Sequence, residues 1–310
     1  MSSSLQASAV STPAVLPSGV LAEIPLDKGS APNPIVVGFG SVWVATHRAN
    51  TLYRIDPQTD KVSAKIDLGQ STCGPLVIAS GRVWTGFCDD STKELAIDPT
   101  TNQVVGSLQA SEVIGDLDGS LWATSVDSTQ LLEVDPTTLK TKMAIAAPGD
   151  EGVIGGGYIW NADENIDSNA YSGVISKVDP TTGAVVGQLH TPTTDLGMGM
   201  TYANGVLWLK GPADTFLVRV DTTSGESTKV ALAGFAQMVD FGDDTPVNAS
   251  GSLWVRTASG VVSQLSLSTG APSATFPADP TAEGGEITVG FGSLWISNFD
   301  SDTVWRVRTP

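Results

Sequence analysis

The sequence predicts an all-β fold, a seven-bladed β-propeller of four-stranded antiparallel blades, and three observations predict it. The string Gly-x-(Val/Leu/Ile)-Trp occurs seven times, at Trp43, Trp84, Trp122, Trp160, Trp208, Trp254 and Trp295. The steps of 41, 38, 38, 48, 46 and 41 residues match the roughly 40–45 residues of one propeller blade. Second, short runs of alternating β-branched residues sit between Gly, Pro, Asp, Asn and Ser clusters, and no helical period is sustained. Third, the last repeat holds only three strand-like runs, at 287–291, 294–298 and 304–308, while 20–26 aligns with 62–68, the fourth strand of the first repeat. An N-terminal strand that completes the last blade closes the ring and removes two exposed edges.

In the first repeat the expected strands are 35–39, 42–46, 52–55 and 62–68, with Phe39-Gly40-Ser41 as the tight turn between the first two. Trp43 stands on the second strand, where a large flat ring fills the gap between neighbouring sheets. The third turn reads Asp-Pro at Asp56, Asp98, Asp135 and Asp179. There the carboxylate accepts from following backbone N–H groups while Pro presets φ. Repeat 5 keeps Asp221 with Thr222 in place of Pro, and repeats 6 and 7 lose the signature. Residues 1–18, rich in Ser, Ala and Pro, read as a disordered leader, and 19–310 as one domain. Counting outwards from a turn at Ser80-Gly81 sets Cys73 opposite Cys88, which fits a disulfide at the mouth of one blade; two free thiols are the alternative.

Thirty-three acidic against 16 basic residues give a net charge of −17. Such a surface repels phosphate backbones, which disfavours nucleic acid as a partner. No apolar run approaches the roughly 18–20 residues that span a bilayer. The composition and the cysteine pair point to a secreted or periplasmic protein, expected to be a monomer. No zinc spacing, phosphate loop or nucleophile elbow is present.

The Gly-Ser-(Val/Leu)-Trp and Arg-Ile-Asp-Pro repeats resemble those of the bacterial seven-bladed family similar to streptogramin (virginiamycin B) lyase. The resemblance implies the fold and a site on one face of the ring. The lyase of that family opens a lactone by elimination, using histidines, a glutamate and magnesium in late blades. Here the only histidines, His47 and His190, lie in repeats 1 and 4, so that catalytic set does not carry over.

Comparing the repeats with one another picks out residues that the scaffold does not ask for. Two places after each Trp stand Ala45, Gly86, Thr124, Ala162, Lys210, Arg256 and Ser297. Lys210 and Arg256, in adjacent blades, read as a clamp for an anionic group, or as cations that reach solvent or local acids. At the start of the innermost strands, Glu112, Asp150, Glu151 and Glu286 face the channel, with Asn33, Gln237 and Asn298 as further polar candidates for substrate binding. These acids can bind a cation, act as a base, or stand hydrated. His47 is the natural proton acceptor, with Arg48 beside it; a plain loop His-Arg is the alternative. His190 reads as rim decoration. The long loop 161–173 suits a lid. It carries Asp163, Asn165 and Asp167 in calcium-loop alternation, lacking the usual Gly and final Glu, and Tyr171, a possible proton donor. Asn248-Ala249-Ser250 is a glycosylation sequon.

Two function classes follow, both with a small-molecule or glycan ligand on the top face. One is a lyase acting by β-elimination on a carboxylate-bearing glycoside or lactone, with His47, Arg48, Tyr171, Lys210 and Arg256 in catalytic roles. The other is a non-catalytic binding scaffold. A metal-dependent lactonase is a third option, in which calcium or magnesium serves as cofactor; the first two need none.

Overall fold

The computed structural model describes residues 16–163, 173–191, 199–210, 216–231, 245–257, 260–282 and 284–309. Seven four-stranded antiparallel sheets contain all 28 strands among these residues, and no helix occurs among them. Strands are lettered A to D from the channel outwards. Blade 1 is Pro32–Gly38, Ser41–Thr46, Thr51–Asp56 and Lys61–Asp67. Strand A of each blade contacts strand A of the next, and that of blade 7 returns to blade 1, so the ring is closed. The closing strand is Val20–Pro25, paired with Thr303–Arg308 as the sequence predicts. Residues 1–15 of the expected leader lie outside the described residues, while Leu16 already packs on the core between blades 6 and 7.

The cores lie between blades. Trp43 packs with Val83 and Ile97 of blade 2, Trp84 with Leu121 and Val134 of blade 3, and so on to Trp295, which packs with Val42 and Ile55 of blade 1. All seven repeat tryptophans are at most 1% exposed. In five of them the indole N–H donates to the carbonyl five residues earlier, as from Trp43 to Gly38 at 3.0 Å. A strand C arginine then latches each of several blades to its neighbour's C–D turn. Arg54 lies over Trp43 and donates to Pro99 O at 2.6 Å, and Arg306 lies over Trp295 and donates to Pro57 O at 2.8 Å, across the ring closure.

The C–D turns follow the predicted chemistry. Asp56, Asp98, Asp135, Asp179 and Asp221 each accept the N–H two residues on at 2.7–2.9 Å. N–H groups two and three residues on hold all five carboxyls below their ordinary pKa. Blade 6, which loses the Asp-Pro signature, keeps the turn: the Ser266 hydroxyl accepts from Ser268 N–H and Thr269 N–H. Cys73 and Cys88 form the predicted disulfide. Simple counting set them opposite, but the register slips between the Val77–Trp84 and Thr72–Phe87 pairs, and the bond spans that irregular mouth.

Candidate functional site

Strand register decides which mouth residues are equivalent. Glu112 pairs with Thr124 and Glu151 with Ala162, and Glu286 exchanges bonds with Ser297. Each glutamate thus faces the residue two after its blade's Trp. The three are one position in blades 3, 4 and 7, and Asp150 stands one residue outside it. The carboxylates reach sideways to the next innermost strand: Glu112 accepts Gly152 N–H, Glu151 accepts Met200 N–H at 3.3 Å and Glu286 accepts Ile35 N–H at 3.3 Å. These acids therefore tie neighbouring blades at the channel mouth as well as lining it. Glu112 keeps its Oε2 buried with no hydrogen-bond partner among the described residues.

A cavity of about 380 Å³ opens between blades 2 and 5, lined by Glu112, Asp150 and Glu151 together with Cys73, Pro75, Ser111, Met200 and Thr245. A second, of about 280 Å³, shares Pro75 and Thr245 and adds Glu286 and Asn248. The two form one channel region with carboxyl groups on both sides. Asn248, the sequon residue, donates from Nδ2 to Tyr202 O at 3.0 Å.

One functional candidate escapes sequence comparison altogether. On strand C, the residue opposite the second position after the Trp is Leu52, Leu131, Ile175, Val262 or Val304 in five blades, and in blade 5 Leu217 stands next after the last pair, Leu209 with Val218. In blade 2 it is Glu94, opposite Gly86 and only 2% exposed. Glycine makes the room: a Cβ on Gly86 would sit 2.6 Å from Glu94 Oε1, and one on Gly74 3.8 Å from the same oxygen. No donor or cation is placed on this carboxyl among the described residues, and burial pushes its pKa well above the ordinary range. Glu112 is pushed up too, by burial first, then by the charges of Glu151, Glu94 and Asp150, against the single Gly152 N–H. Glu94 and Glu112 thus keep protons where an exposed carboxyl has lost its own.

The two cations of the expected clamp are buried. Lys210 and Arg256 are 2% and 6% exposed and line neither of the two cavities. Arg256 donates from Nη1 to Gly284 O at 2.8 Å and Ser297 O at 3.0 Å, and from Nη2 to Ala282 O at 3.3 Å. It pins blade 6 to blade 7, through a space that a Cβ on Gly285, at φ 114°, would close. The sequence could not show this, since the carbonyls belong to the next blade.

His47 does not itself line the cavity but touches Cys73, which does. Its Nδ1 is 3.1 Å from Cys73 Sγ and 3.6 Å from Cys88 Sγ, and its ring lies 5.6 Å from that of Phe299. Burial, then the Arg48 charge, lowers its pKa. Arg48 stacks over Phe299 at 5.0 Å. Asn33 and Asn298 are buried between blades 7 and 1: Asn33 O accepts from Ser297 Oγ at 2.6 Å, and Asn298 Nδ2 donates to Thr303 Oγ1 at 3.1 Å. Asp163 closes strand B of blade 4, its pKa raised by burial and by Asp150. His190 ends the outermost strand of that blade, exposed. Asn165, Asp167, Tyr171 and Gln237 lie outside the described residues.

No family model matches the chain, and no curated protein does. Solved structures do. Selenomethionine-substituted virginiamycin B lyase from Staphylococcus aureus is similar at TM-score 0.69 and 16% identity, over 93% of this chain and 99% of that one. A streptogramin B lyase structure is similar at 0.67 and 16%, over 93% and 96%. BamB from Moraxella catarrhalis is similar at 0.57 and 15%, over 93% and 99%. The fold is thus a seven-bladed propeller like that of streptogramin lyase, and identity this low speaks for the fold alone.

Proposed function

We propose that the protein binds a small molecule or glycan bearing a basic nitrogen at the acid-lined channel mouth, as a monomeric propeller outside the cytoplasm. Glu94 carries the reading. A carboxyl stands where other blades place an aliphatic side chain, with two glycines clearing space around it, and it lies buried close enough to the cavity-lining Glu112 for the two charges to act on each other. Burying an uncompensated carboxyl works against folding, and a ligand ammonium or guanidinium offsets that cost when it arrives. Among the described residues no three carboxyl oxygens of this group lie close enough to share one ion. A larger cation with several N–H donors suits that spacing better than a chelated calcium or magnesium. The disulfide supports a location outside the cytoplasm.

The test is a thermal-shift and calorimetric panel of a diamine, an amino sugar, a guanidinium compound, glucose, glucuronate and calcium. Binding of the nitrogenous cations that is lost in Glu94→Leu and Glu112→Gln supports the reading. Preference for glucuronate, or an unchanged Kd in both variants, overturns it.

Elimination is the second reading, and one observation favours it: Glu112 holds its proton beside the charge of Glu151. Neighbouring carboxyls whose environments separate their protonation suit an acid and a base. In this reading Glu151 takes the proton beside a carbonyl, and Glu112 protonates the departing oxygen. A conjugated double bond absorbing in the ultraviolet, formed from a uronide or lactone and abolished in Glu112→Gln, would establish it.

A further inference from the structure

We propose that His47, Cys73 and Cys88 become a zinc site when the disulfide is reduced, so that the blade 2 mouth is held by a covalent bond in one state and by a metal in the other. The three ligand atoms already converge from two blades. His47 follows strand B of blade 1 and is fixed by its backbone N–H to Ala31 O at 2.9 Å and by the Phe299 ring. The cysteines flank the A–B hairpin of blade 2 with Cα atoms 4.7 Å apart. Among the described residues no other group of His, Cys, Asp and Glu side chains brings three ligand atoms this close.

The chemistry of the set selects the ion. Two thiolates and an imidazole form a borderline-soft N/S triad that zinc prefers to calcium or magnesium. Bonds of about 2.3 Å to sulfur and about 2.0 Å to nitrogen place tetrahedral ligand atoms roughly 3.5 Å apart. The His47–sulfur distances of 3.1 and 3.6 Å already satisfy that spacing. Only the two sulfurs must separate, which side-chain rotation achieves on a hairpin mouth. Both cysteines are partly exposed, so a reductant reaches them. Cys73 also lines the channel cavity, from which water can supply a fourth ligand. That composition, three protein ligands and one exchangeable position, is the open form of zinc site rather than the closed structural one.

The step balances with a phosphine reductant. Phosphorus gives two electrons to the disulfide and takes oxygen from one water molecule, whose two protons leave the sulfurs as thiols. Zinc then displaces both thiol protons to the buffer, and His47, protonated on Nε2, offers the Nδ1 lone pair. No other bond changes.

Cobalt(II) titration of the phosphine-reduced full chain tests the proposal. One equivalent should bring up thiolate-to-cobalt charge-transfer bands in the near ultraviolet and tetrahedral bands in the visible, and zinc should bleach both. The bands should vanish in Cys73→Ser. In His47→Ala cobalt affinity should fall by more than about tenfold, since even outer-shell partners of metal ligands cost that much, while the oxidised variant melts with wild type. Tryptophan fluorescence follows the fold throughout. If reduction loosens the chain, zinc should restore the native signal. Absent bands, equal binding by His47→Ala, the same bands from the oxidised chain, or a reduced chain that zinc leaves unfolded would each overturn the site.

Discussion

Blades 1 and 2 each set a tryptophan on strand B, and of the facing pairs at which they differ one bears on the site. In blade 1 Ala45 faces Leu52; in blade 2 Gly86 faces Glu94. Both pairs are buried. The first fills its space with hydrocarbon and needs nothing further. The second sets a carboxyl where blade 1 has the branched end of a leucine, and leaves a buried polar group near Glu112. A repeat protein can thus carve a site out of its scaffold with two substitutions, provided that the glycine comes with the acid.

Moving the acid without the glycine should break that comparison most severely. Leu52→Glu keeps Ala45, so the carboxyl has neither room nor partner. Burial of an uncompensated charge costs about 3–5 kcal/mol, and urea unfolding should show a loss of that order. Adding Ala45→Gly should recover part of it, if room is what blade 2 supplies.

The reverse exchange is milder. Gly86→Ala puts a Cβ 2.6 Å from Glu94 Oε1, which forces the side chain from its place. Overpacking of this kind costs about 1–3 kcal/mol. Combined with Glu94→Leu, the same change rebuilds the blade 1 pair and should restore the loss, giving a large coupling in a double-mutant cycle on Tm. Additive effects would show that the two residues do not share one space.

A third test separates the pairs by pH. Glu94 has a raised pKa in the folded chain, so the folded chain holds this proton more tightly than the unfolded one. Its destabilising effect is absent below the ordinary value of 4.5 and grows as pH rises above it, until the folded group ionises. Glu94→Gln removes that slope. The stability of the variant relative to wild type should therefore improve as pH rises above 4.5, whereas Leu52→Met should leave the slope unchanged.

The fold was legible because each repeat carries its own instructions. A Gly-x-(Val/Leu/Ile)-Trp turn and strand, and an Asp whose acceptor role is complete two residues later, need no distant partner to be read. The site was less so. Glu94 follows its Trp by ten residues and Leu52 by nine, while Ile175 follows by fifteen; B–C loops of different length hide the equivalence until strands pair. A bulge between Val113 and Gly115 likewise blurs the match of Glu112 with Glu151. The role of Arg256 as a tie between blades was hidden because nothing in blade 6 announces the carbonyls of Ala282, Gly284 and Ser297. Interactions closed within a repeat can be read from one line of sequence, and those closed between repeats cannot.

The C–D turns at the opposite rim offer the gentlest test of that distinction. In blades 1 to 5 an Asp carboxylate holds the turn, its pKa lowered by the N–H groups it accepts. A lowered carboxyl contributes stability above its ordinary value and loses it as pH falls through the folded one. In blade 6 the Ser266 hydroxyl accepts the same two bonds and does not titrate in that range. Hydrogen-exchange protection at Thr181 and Thr223 should therefore decline as pH falls below the ordinary carboxyl range, while protection at Ser268 and Thr269 persists. Replacing Ser266 by Asp should make blade 6 behave as its neighbours do. Equal acid sensitivity in all six turns before that change would mean that the blades loosen together, and that the local bond does not govern the turn.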